Sequence, residues 1–330
     1  MIGRLPDAVM YHYVRDVTAR PQVGYPTLDP VTFESQLDSV CRVRTPVSWA
    51  ALRDALEGRR ALPSDSVLLT FDDGLADHHR NVMPTLAARG LPAVFFVLAR
   101  TARDGVALGH KLHVLGGAMG WVALRDAVAE RLSAADAERY ATLQANLRAA
   151  GVTDPDDLWK RPLQRELEAA ADPILSGLVR ERLGSEADLA RELYLDARQM
   201  LDLVANGMAL GGHGRDHPWL ECVGDERVRA EIAVSATFLA PFAAGPWPFA
   251  YPYGGVPHGA GRLLSGAGFA AGFTTRANER HDRYHIGRHD GDELGTGAPA
   301  ITAREVVHHS RPGRHRGDPS TSTREEPNDG

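Results

Sequence analysis

Two short, predominantly apolar runs on either side of a predicted helix constrain the fold of this chain more than any other feature. Residues 66–71 (SVLLTF) and 93–98 (AVFFVL) are rich in β-branched and aromatic side chains, which is typical of strands buried on both faces. A turn at Asp73-Gly74 and a predicted helix over 77–88 lie between them. A strand, a helix and a strand at this spacing form a βαβ unit, so the sequence predicts a parallel sheet.

The same alternation starts near the N-terminus and returns after residue 196, which adds strand candidates on both sides of this unit. The additional candidates are residues 8–13, 208–212, 247–251, 271–275 and 284–288. With the first two strands they number about seven, which predicts a parallel barrel or near-barrel. In such folds the active site forms at the C-terminal ends of the strands.

The middle of the chain follows a different pattern. Residues 104–205 carry 12 Lys and Arg against 17 Asp and Glu, so they hold most of the net charge of −6. Helices are predicted over 121–132, 134–149, 156–171 and 186–195, with no strand candidate between them. We interpret this segment as a helical insertion that caps the barrel or lies beside it, because the βα alternation resumes afterwards. An independent helical domain in tandem is the alternative.

The predicted domain organisation follows from these patterns. Residues 1–103 form the first part of the barrel, residues 104–205 the insertion, and residues 206–310 the remainder of the barrel. Residues 311–330 contain no aliphatic or aromatic side chain, so we expect a disordered tail.

The composition excludes several classes of protein. Hydrophobic residues make up 43% and charged residues 24% of the chain, as in ordinary globular proteins. There is no run of 18 apolar residues, so no membrane span is predicted, and the negative charge argues against a general nucleic-acid binder. The N-terminal residues lack the apolar core of a signal peptide, and the two cysteines, Cys41 and Cys222, suit a reducing compartment. We therefore expect a cytoplasmic protein.

Three polar clusters follow three of the predicted strands. They are residues 70–74 (TFDDG), 213–217 (HGRDH) and 249–255 (FAYPYGG), and in a parallel barrel they would meet at one face. Each cluster alone is also ordinary turn chemistry, but all three in this order favour a site. Catalytic zinc takes three ligands from His, Asp, Glu or Cys and leaves a position for water. Two histidines and one carboxylate would form such a set, and a second carboxylate could deprotonate the water.

These residues resemble the motifs of the polysaccharide deacetylase family, also called the NodB-homology family. The first motif, T-F-D-D-G, is complete at residues 70–74, and the second, His-[Ser/Thr]-x-x-His, corresponds to residues 213–217. The third, usually R-P-P-Y-G, corresponds to residues 250–254 (AYPYG). The resemblance implies an α/β fold, a distorted (β/α)7 parallel barrel, here with a helical insertion. The opening at residues 10–14 (MYHYV) and the insertion resemble a bacterial subgroup associated with surface carbohydrate synthesis.

The resemblance also implies roles for individual residues. Asp73, His213 and His217 would bind a divalent metal, commonly Zn²⁺. Asp72 would act as the general base, and the backbone N–H of Tyr253 would help to stabilise the oxyanion.

The sequence departs from the family at three places. Gly214 replaces the Ser or Thr after the first metal-binding histidine, which removes a supporting hydrogen bond. Ala250 replaces the arginine that normally holds the catalytic aspartate, and we expect Arg288 to take its place by pairing with Asp72. The general-acid histidine normally lies in a late Leu-x-His motif; His289 is the first candidate here, and a solvent-exposed histidine is the alternative interpretation.

The predicted function is metal-dependent hydrolysis of the N-acetyl group of an amino sugar or glycoconjugate, which releases acetate. His12 and Tyr251 are the candidates for substrate binding, although His12 could equally be a packed core residue. A nucleotide-linked, lipid-linked or free N-acetylamino sugar is expected, since no signal peptide is predicted. Two alternatives stay open: a non-sugar amide or imide hydrolase of the same fold, and a catalytically weakened carbohydrate-binding homologue. The sequence leaves the oligomeric state open.

Overall fold

The structure is a computed structural model that describes residues 5–100, 102–277 and 282–294. Its strands form one continuous sheet. They are β1 (Asp7–Tyr11), β2 (Thr45–Pro46), β3 (Ser66–Phe71), β4 (Val94–Val97), β5 (Ala209–Gly212), β6 (Trp247–Ala250), β7 (Phe269–Phe273) and β8 (His289–Asp290).

The sheet curls so that one short segment joins its two edges. The strand order is β7-β6-β5-β4-β3-β1-β8, with β2 beside the start of β3, and every pair is parallel. Ile286 bridges to Phe273 at the end of β7, and His289 pairs with Val9 of β1. The predicted fold class, a distorted (β/α)7 parallel barrel, is therefore confirmed.

The centre of the sheet matches its sequence pattern, and its last strand does not. Every residue of β3 and β4 is buried, as continuous apolar runs predict. The strand predicted over 284–288 is misplaced, because the paired residues of β8 are His289 and Asp290. A strand of two residues is too short to show a period in the sequence.

The helices surround the barrel and fill the segment between β4 and β5. In chain order they are α1 (Pro30–Val43), α2 (Trp49–Leu56), α3 (Met83–Ala88), α4 (Leu108–Met119), α5 (Trp121–Ala129), α6 (Ala134–Ala149), α7 (Pro155–Arg165), α8 (Glu168–Arg182), α9 (Glu186–Leu193), α10 (Ala197–Ala205), α11 (Asp225–Leu239) and α12 (Ala260–Gly266). None of the described helices is both long and apolar enough to cross a bilayer.

Local chemistry explains where the helices begin. The Asp29 side chain accepts the backbone N–H groups of Val31 and Thr32, and Pro30 occupies the first helical position, so α1 starts where the sequence predicts. The helix predicted over 77–88 is less regular, because a π-helical turn (His78–Val82) precedes α3.

Helices α4 to α10 form the middle segment, and α4 lies at its centre. Leu112 and Leu115 of α4 share an apolar cluster with Leu175 and Leu178 of α8. The single helix predicted over 156–171 is wrong, because the chain forms α7 and then α8 there. Helix α4 was not predicted. The four-part domain division stays a prediction, and the tail at 311–330 lies outside the described residues.

Candidate metal centre and active-site cavity

The three polar clusters meet at the C-terminal ends of β3, β5 and β6, and their backbones share an unusual conformation. Among the described residues, three non-glycine residues have a positive φ: Asp73 at 74°, His217 at 57° and Tyr253 at 56°. Residues other than glycine rarely adopt this left-handed region, and where they do it often marks a functional site. Each of the three belongs to a different cluster, so all three clusters carry this strain.

Asp73, His213 and His217 form a compact triangle of candidate ligand atoms. The Asp73 Oδ1 atom lies 3.4 Å from His213 Nε2 and 3.5 Å from His217 Nε2. The two histidine Nε2 atoms are 3.2 Å apart. The predicted metal ligands therefore lie together, within a set of atoms that could hold one ion.

The chemistry of these atoms fits a small divalent cation. Ligands about 2 Å from a tetrahedral zinc lie roughly 3.3 Å from one another, close to the observed spacing. Asp73 Oδ1 is buried and makes no well-oriented hydrogen bond, although buried polar atoms normally have a partner. His213 Nδ1 donates to the Ala250 carbonyl over 2.8 Å, which leaves a lone pair on Nε2 for a metal.

The electrostatics of the triangle favour the binding of a cation. Burial opposes ionisation of Asp73, but His110, His213 and His217 outweigh it and hold its pKa well below the usual value. Burial lowers the pKa of His217 to about 3, so this ring is neutral near pH 7. Burial also opposes charge on His213, but Asp72 and Asp73 outweigh it and raise its pKa. An anionic carboxylate beside two imidazoles is a set that a divalent ion can occupy.

Asp72 lies beside the triangle and is held by Arg288. The Arg288 guanidinium donates from Nη1 to Asp72 Oδ1 over 2.6 Å and from Nη2 to Oδ2 over 2.7 Å. Its Nε also donates to the Thr274 carbonyl, and both charged side chains are buried. Burial opposes ionisation of Asp72, but Arg288 and then His213 outweigh it and lower its pKa. The structure thus places Arg288 where the family's arginine, here Ala250, would act.

A cavity of about 300 Å³ opens beside these groups. Its walls include barrel residues and residues of α4 and α7, such as His110, Lys160 and Gln164. Tyr253 forms part of the wall: its ring stacks on Trp219 at a centroid distance of 4.6 Å. The middle segment therefore forms part of the cavity.

Two sequence-predicted site residues lie elsewhere. The cavity is lined by Asp290 and not by His289, because successive side chains of a strand point to opposite faces. Tyr251 is buried, its hydroxyl donates to the Tyr284 carbonyl, and it does not line the cavity. The expected roles of His289 as general acid and Tyr251 in substrate binding are therefore not supported by their positions.

His12 does reach the cavity. It lies just beyond β1 and lines the wall, and its Nδ1 atom is buried without a hydrogen-bond partner among the described residues. Its carbonyl accepts from Nε2 of the buried His78, so the backbone at His12 is fixed. Tyr253, the remaining predicted residue, is part of the cavity wall.

Sequence reasoning missed Glu231, which supports the loop between the two metal-binding histidines. Its Oε2 atom accepts the backbone N–H of Arg215 over 2.5 Å and that of Asp216 over 3.1 Å. A Cβ atom at Gly214 would lie only 2.8 Å from Oε2, so glycine there leaves room for the carboxylate. The sequence feature that could have revealed it is a glutamate on the buried face of α11, beside Val228 and Ile232, because a buried charge needs a partner.

His110 was also missed. It is buried on α4 within a largely apolar helix and contacts Asp73 over 3.1 Å. The sequence feature that could have revealed His110 is the same as for Glu231: a polar side chain on a helix face that the core covers.

Comparison with known proteins agrees with this geometry. A sequence model of the family described as polysaccharide deacetylase matches residues 59–135. The poly-β-1,6-N-acetyl-D-glucosamine N-deacetylase of Escherichia coli strain K12 is 46% identical over 50 residues, which are 15% of this chain and 7% of that protein. The chain thus spans a small part of the curated relatives that it matches.

Solved structures share the fold over most of the chain. IcaB from Ammonifex degensii has a TM-score of 0.51 at 22% identity, covering 87% of this chain and 91% of that one. A de-N-acetylase from Aggregatibacter actinomycetemcomitans has a TM-score of 0.52 at 16% identity, covering 88% and 96%. At these identities the likenesses show the fold alone. The chain therefore resembles the polysaccharide deacetylase, or NodB-homology, family over residues 59–135, and its fold agrees with that resemblance.

Proposed function

We propose that this protein is a metal-dependent deacetylase that hydrolyses the N-acetyl group of an amino sugar or glycoconjugate and releases acetate. The observation that carries the proposal is the triangle of Asp73, His213 and His217 beside an Asp72 that Arg288 holds in place. The name of the Escherichia coli relative, an N-acetyl-D-glucosamine N-deacetylase, supports an N-acetyl amide as the bond that is cleaved.

The proposed ligands are Asp73, His213 and His217, and Zn²⁺ is the proposed ion because imidazole and carboxylate ligands suit it. Such an ion supplies Lewis acidity, which polarises the amide carbonyl and makes water more acidic. Asp72 accepts the proton from the attacking water, and its ionised state at neutral pH follows from the pair with Arg288. The backbone N–H of Tyr253 donates to the developing oxyanion.

The leaving amine needs a proton, and the cavity offers His12 for this step. His213 and His217 belong to the triangle, and His110 is bonded to Asp73. Nδ1 of the remaining histidine, His113, is within hydrogen-bond distance of the Tyr13 hydroxyl, and burial lowers its pKa well below the usual value. His12, with its buried and unpartnered Nδ1, therefore replaces His289 as the proposed general acid.

The site also favours an active enzyme over a weakened binding homologue. The departures at Ala250 and Gly214 are both compensated: Arg288 pairs with Asp72, and Glu231 supports the loop that contains Gly214. A cavity of about 300 Å³ is at the small end of ligand sites, which suits a single N-acetylamino sugar, free or linked to a carrier. A cytoplasmic location is part of the same proposal.

Acetate release from a panel of substrates tests the proposal. The panel holds N-acetylglucosamine and its short oligomers, a nucleotide-linked N-acetyl sugar, simple N-acetyl amines and cyclic imides. We expect acetate from at least one N-acetyl sugar, and a loss of about 10²-fold or more in Asp72→Asn and in His12→Gln. Asp126→Asn, at an exposed position, is the matched control. Hydrolysis of the imides alone would favour the non-sugar alternative, and no turnover by the zinc-loaded protein would contradict the proposal.

A further inference from the structure

We infer that His110 and Tyr194, which lie outside the three family motifs, are positioning residues that orient the Asp73 carboxylate toward the metal. Both belong to the segment between β4 and β5. The inference rests on the proposed function, because it assigns these two residues a part in the same metal centre. It gives the middle segment a role in catalysis besides that of a cavity wall.

Three buried side chains lie in series, each within hydrogen-bonding distance of the next. The Tyr194 hydroxyl lies 2.7 Å from His110 Nδ1, and His110 Nε2 lies 3.1 Å from Asp73 Oδ2. The relative exposures are 8% for Tyr194, 2% for His110 and 4% for Asp73, so water does not compete for these bonds. The backbone N–H of Ala107 donates to the Tyr194 oxygen over 3.1 Å.

The directions of these bonds follow from the groups that can only donate or only accept. The Ala107 N–H can only donate, so the Tyr194 oxygen accepts it, and among the described residues His110 Nδ1 is the one acceptor within reach of the hydroxyl hydrogen. With Nδ1 as the acceptor, the ring hydrogen of His110 lies on Nε2, which is 3.1 Å from Asp73 Oδ2 and can donate to it. Each group thereby fixes the orientation of the next.

The consequence falls on the other Asp73 oxygen. Because His110 occupies Oδ2, the carboxylate can turn only with the loss of a buried hydrogen bond, and Oδ1 stays directed at His213 and His217. Hydrogen-bond partners of metal ligands commonly set ligand orientation and metal affinity in this way. His110 is not itself part of the triangle of candidate ligands, so its role is to position Asp73.

The surrounding segment holds both positioning residues firmly. Lys111, next to His110, is buried and its Nζ contacts Asp172 over 2.8 Å and Glu186 over 3.1 Å, which ties α4 to α8 and α9. After α9, Tyr194 bridges to Leu75, and the Leu195 N–H donates to the Gly74 carbonyl. The two ends of the middle segment thus converge on the loop that contains Asp73.

Zinc affinity of the full chain, measured by competition with a chelator, tests the inference together with kcat and KM for acetate release. We expect His110→Leu to weaken zinc binding by about 10- to 100-fold and to lower kcat while KM changes little. His110→Gln keeps a donor near the Nε2 position and should restore most of the affinity. Tyr194→Phe should lower the zinc affinity by about 5-fold, because one hydrogen bond to the His110 ring is removed.

Asp126→Asn, at an exposed position outside the cavity lining, is the control, and its zinc affinity should equal that of the unaltered protein. Zinc affinity and kcat that are unchanged in His110→Leu would overturn the inference alone. If circular dichroism shows that His110→Leu does not fold, Tyr194→Phe takes its place, and an unchanged zinc affinity and kcat in that variant would overturn the inference. An unaltered protein that binds no zinc would instead overturn the proposed function, and this inference with it.

Discussion

At the residue scale, Asp73, His217 and Tyr253 are held in a backbone conformation that costs on the order of 1–3 kcal/mol each, so the surrounding structure must enforce it. For Tyr253 the enforcement is visible. Its ring is fixed by stacking on Trp219, and its hydroxyl lies against Gly109, where a Cβ atom would come within 2.7 Å. The loop that presents the Tyr253 N–H is therefore held by the packing around it.

The pair of Asp72 and Arg288 should be strongly coupled. Arg288→Gln leaves a buried carboxylate without its counter-charge, so the free energy of unfolding should fall by about 3–5 kcal/mol, and acetate release should fall with it. The double variant Arg288→Gln/Asp72→Asn removes the stranded charge and should regain most of the stability but not the activity. Urea denaturation measures the stability of the single and double variants, and the acetate assay measures their activity. A double variant whose loss of stability equals the sum of the losses in the two single variants would contradict the coupling.

Sequence reasoning at this scale succeeded where a motif and a strand end coincided. The residues of the triangle and the Arg288–Asp72 pair could be anticipated from motifs and from one missing arginine. His289 was a poor candidate because β8 lies further along the chain than predicted, and the alternation of side chains then places Asp290 on the cavity. Tyr251 was misjudged because a motif does not reveal which of its side chains turn inward.

At the scale of elements, β3 and β4 were predictable because both faces are buried and the apolar run is continuous. The break between α7 and α8 was not predictable, because it occurs at Leu167, where neither glycine nor proline marks the end of a helix. Helix α4 was missed because Gly116 and Gly117 lower its helix propensity and its two histidines interrupt the apolar pattern. Its role depends on packing against the barrel, which no local pattern encodes.

Helix α11 should influence the metal centre through Glu231. Glu231→Ala leaves two backbone N–H groups of the histidine loop without a partner, so we expect zinc affinity to fall by about 10-fold or more. Glu231→Gln keeps an acceptor oxygen and should stay within a few-fold of the unaltered protein. Glu226→Ala, in the exposed first turn of the same helix, is the control. Chelator competition measures the zinc affinity of all three variants. An unchanged zinc affinity in Glu231→Ala would show that the histidine loop keeps its conformation without Glu231.

At the scale of the whole molecule, partly exposed ion pairs join the barrel to the middle segment. Arg227 of α11 contacts Glu168 of α8 over 2.6 Å, and Arg215 of the histidine loop contacts Asp104 over 2.8 Å. The cavity wall therefore depends on long-range packing. The motifs indicate a family resemblance and the candidate chemistry, but the sequence alone could not show which side chains of α4 and α7 line the cavity.

The most direct test of the account is the metal content of the purified full chain after zinc is supplied and the excess removed, beside Asp73→Ala and the exposed control Asp126→Ala. We predict about one zinc ion per chain in the unaltered protein and in Asp126→Ala, and a loss of bound zinc in Asp73→Ala. A chain that retains no zinc, or an Asp73→Ala variant that retains all of it, would contradict a metal centre formed by Asp73, His213 and His217.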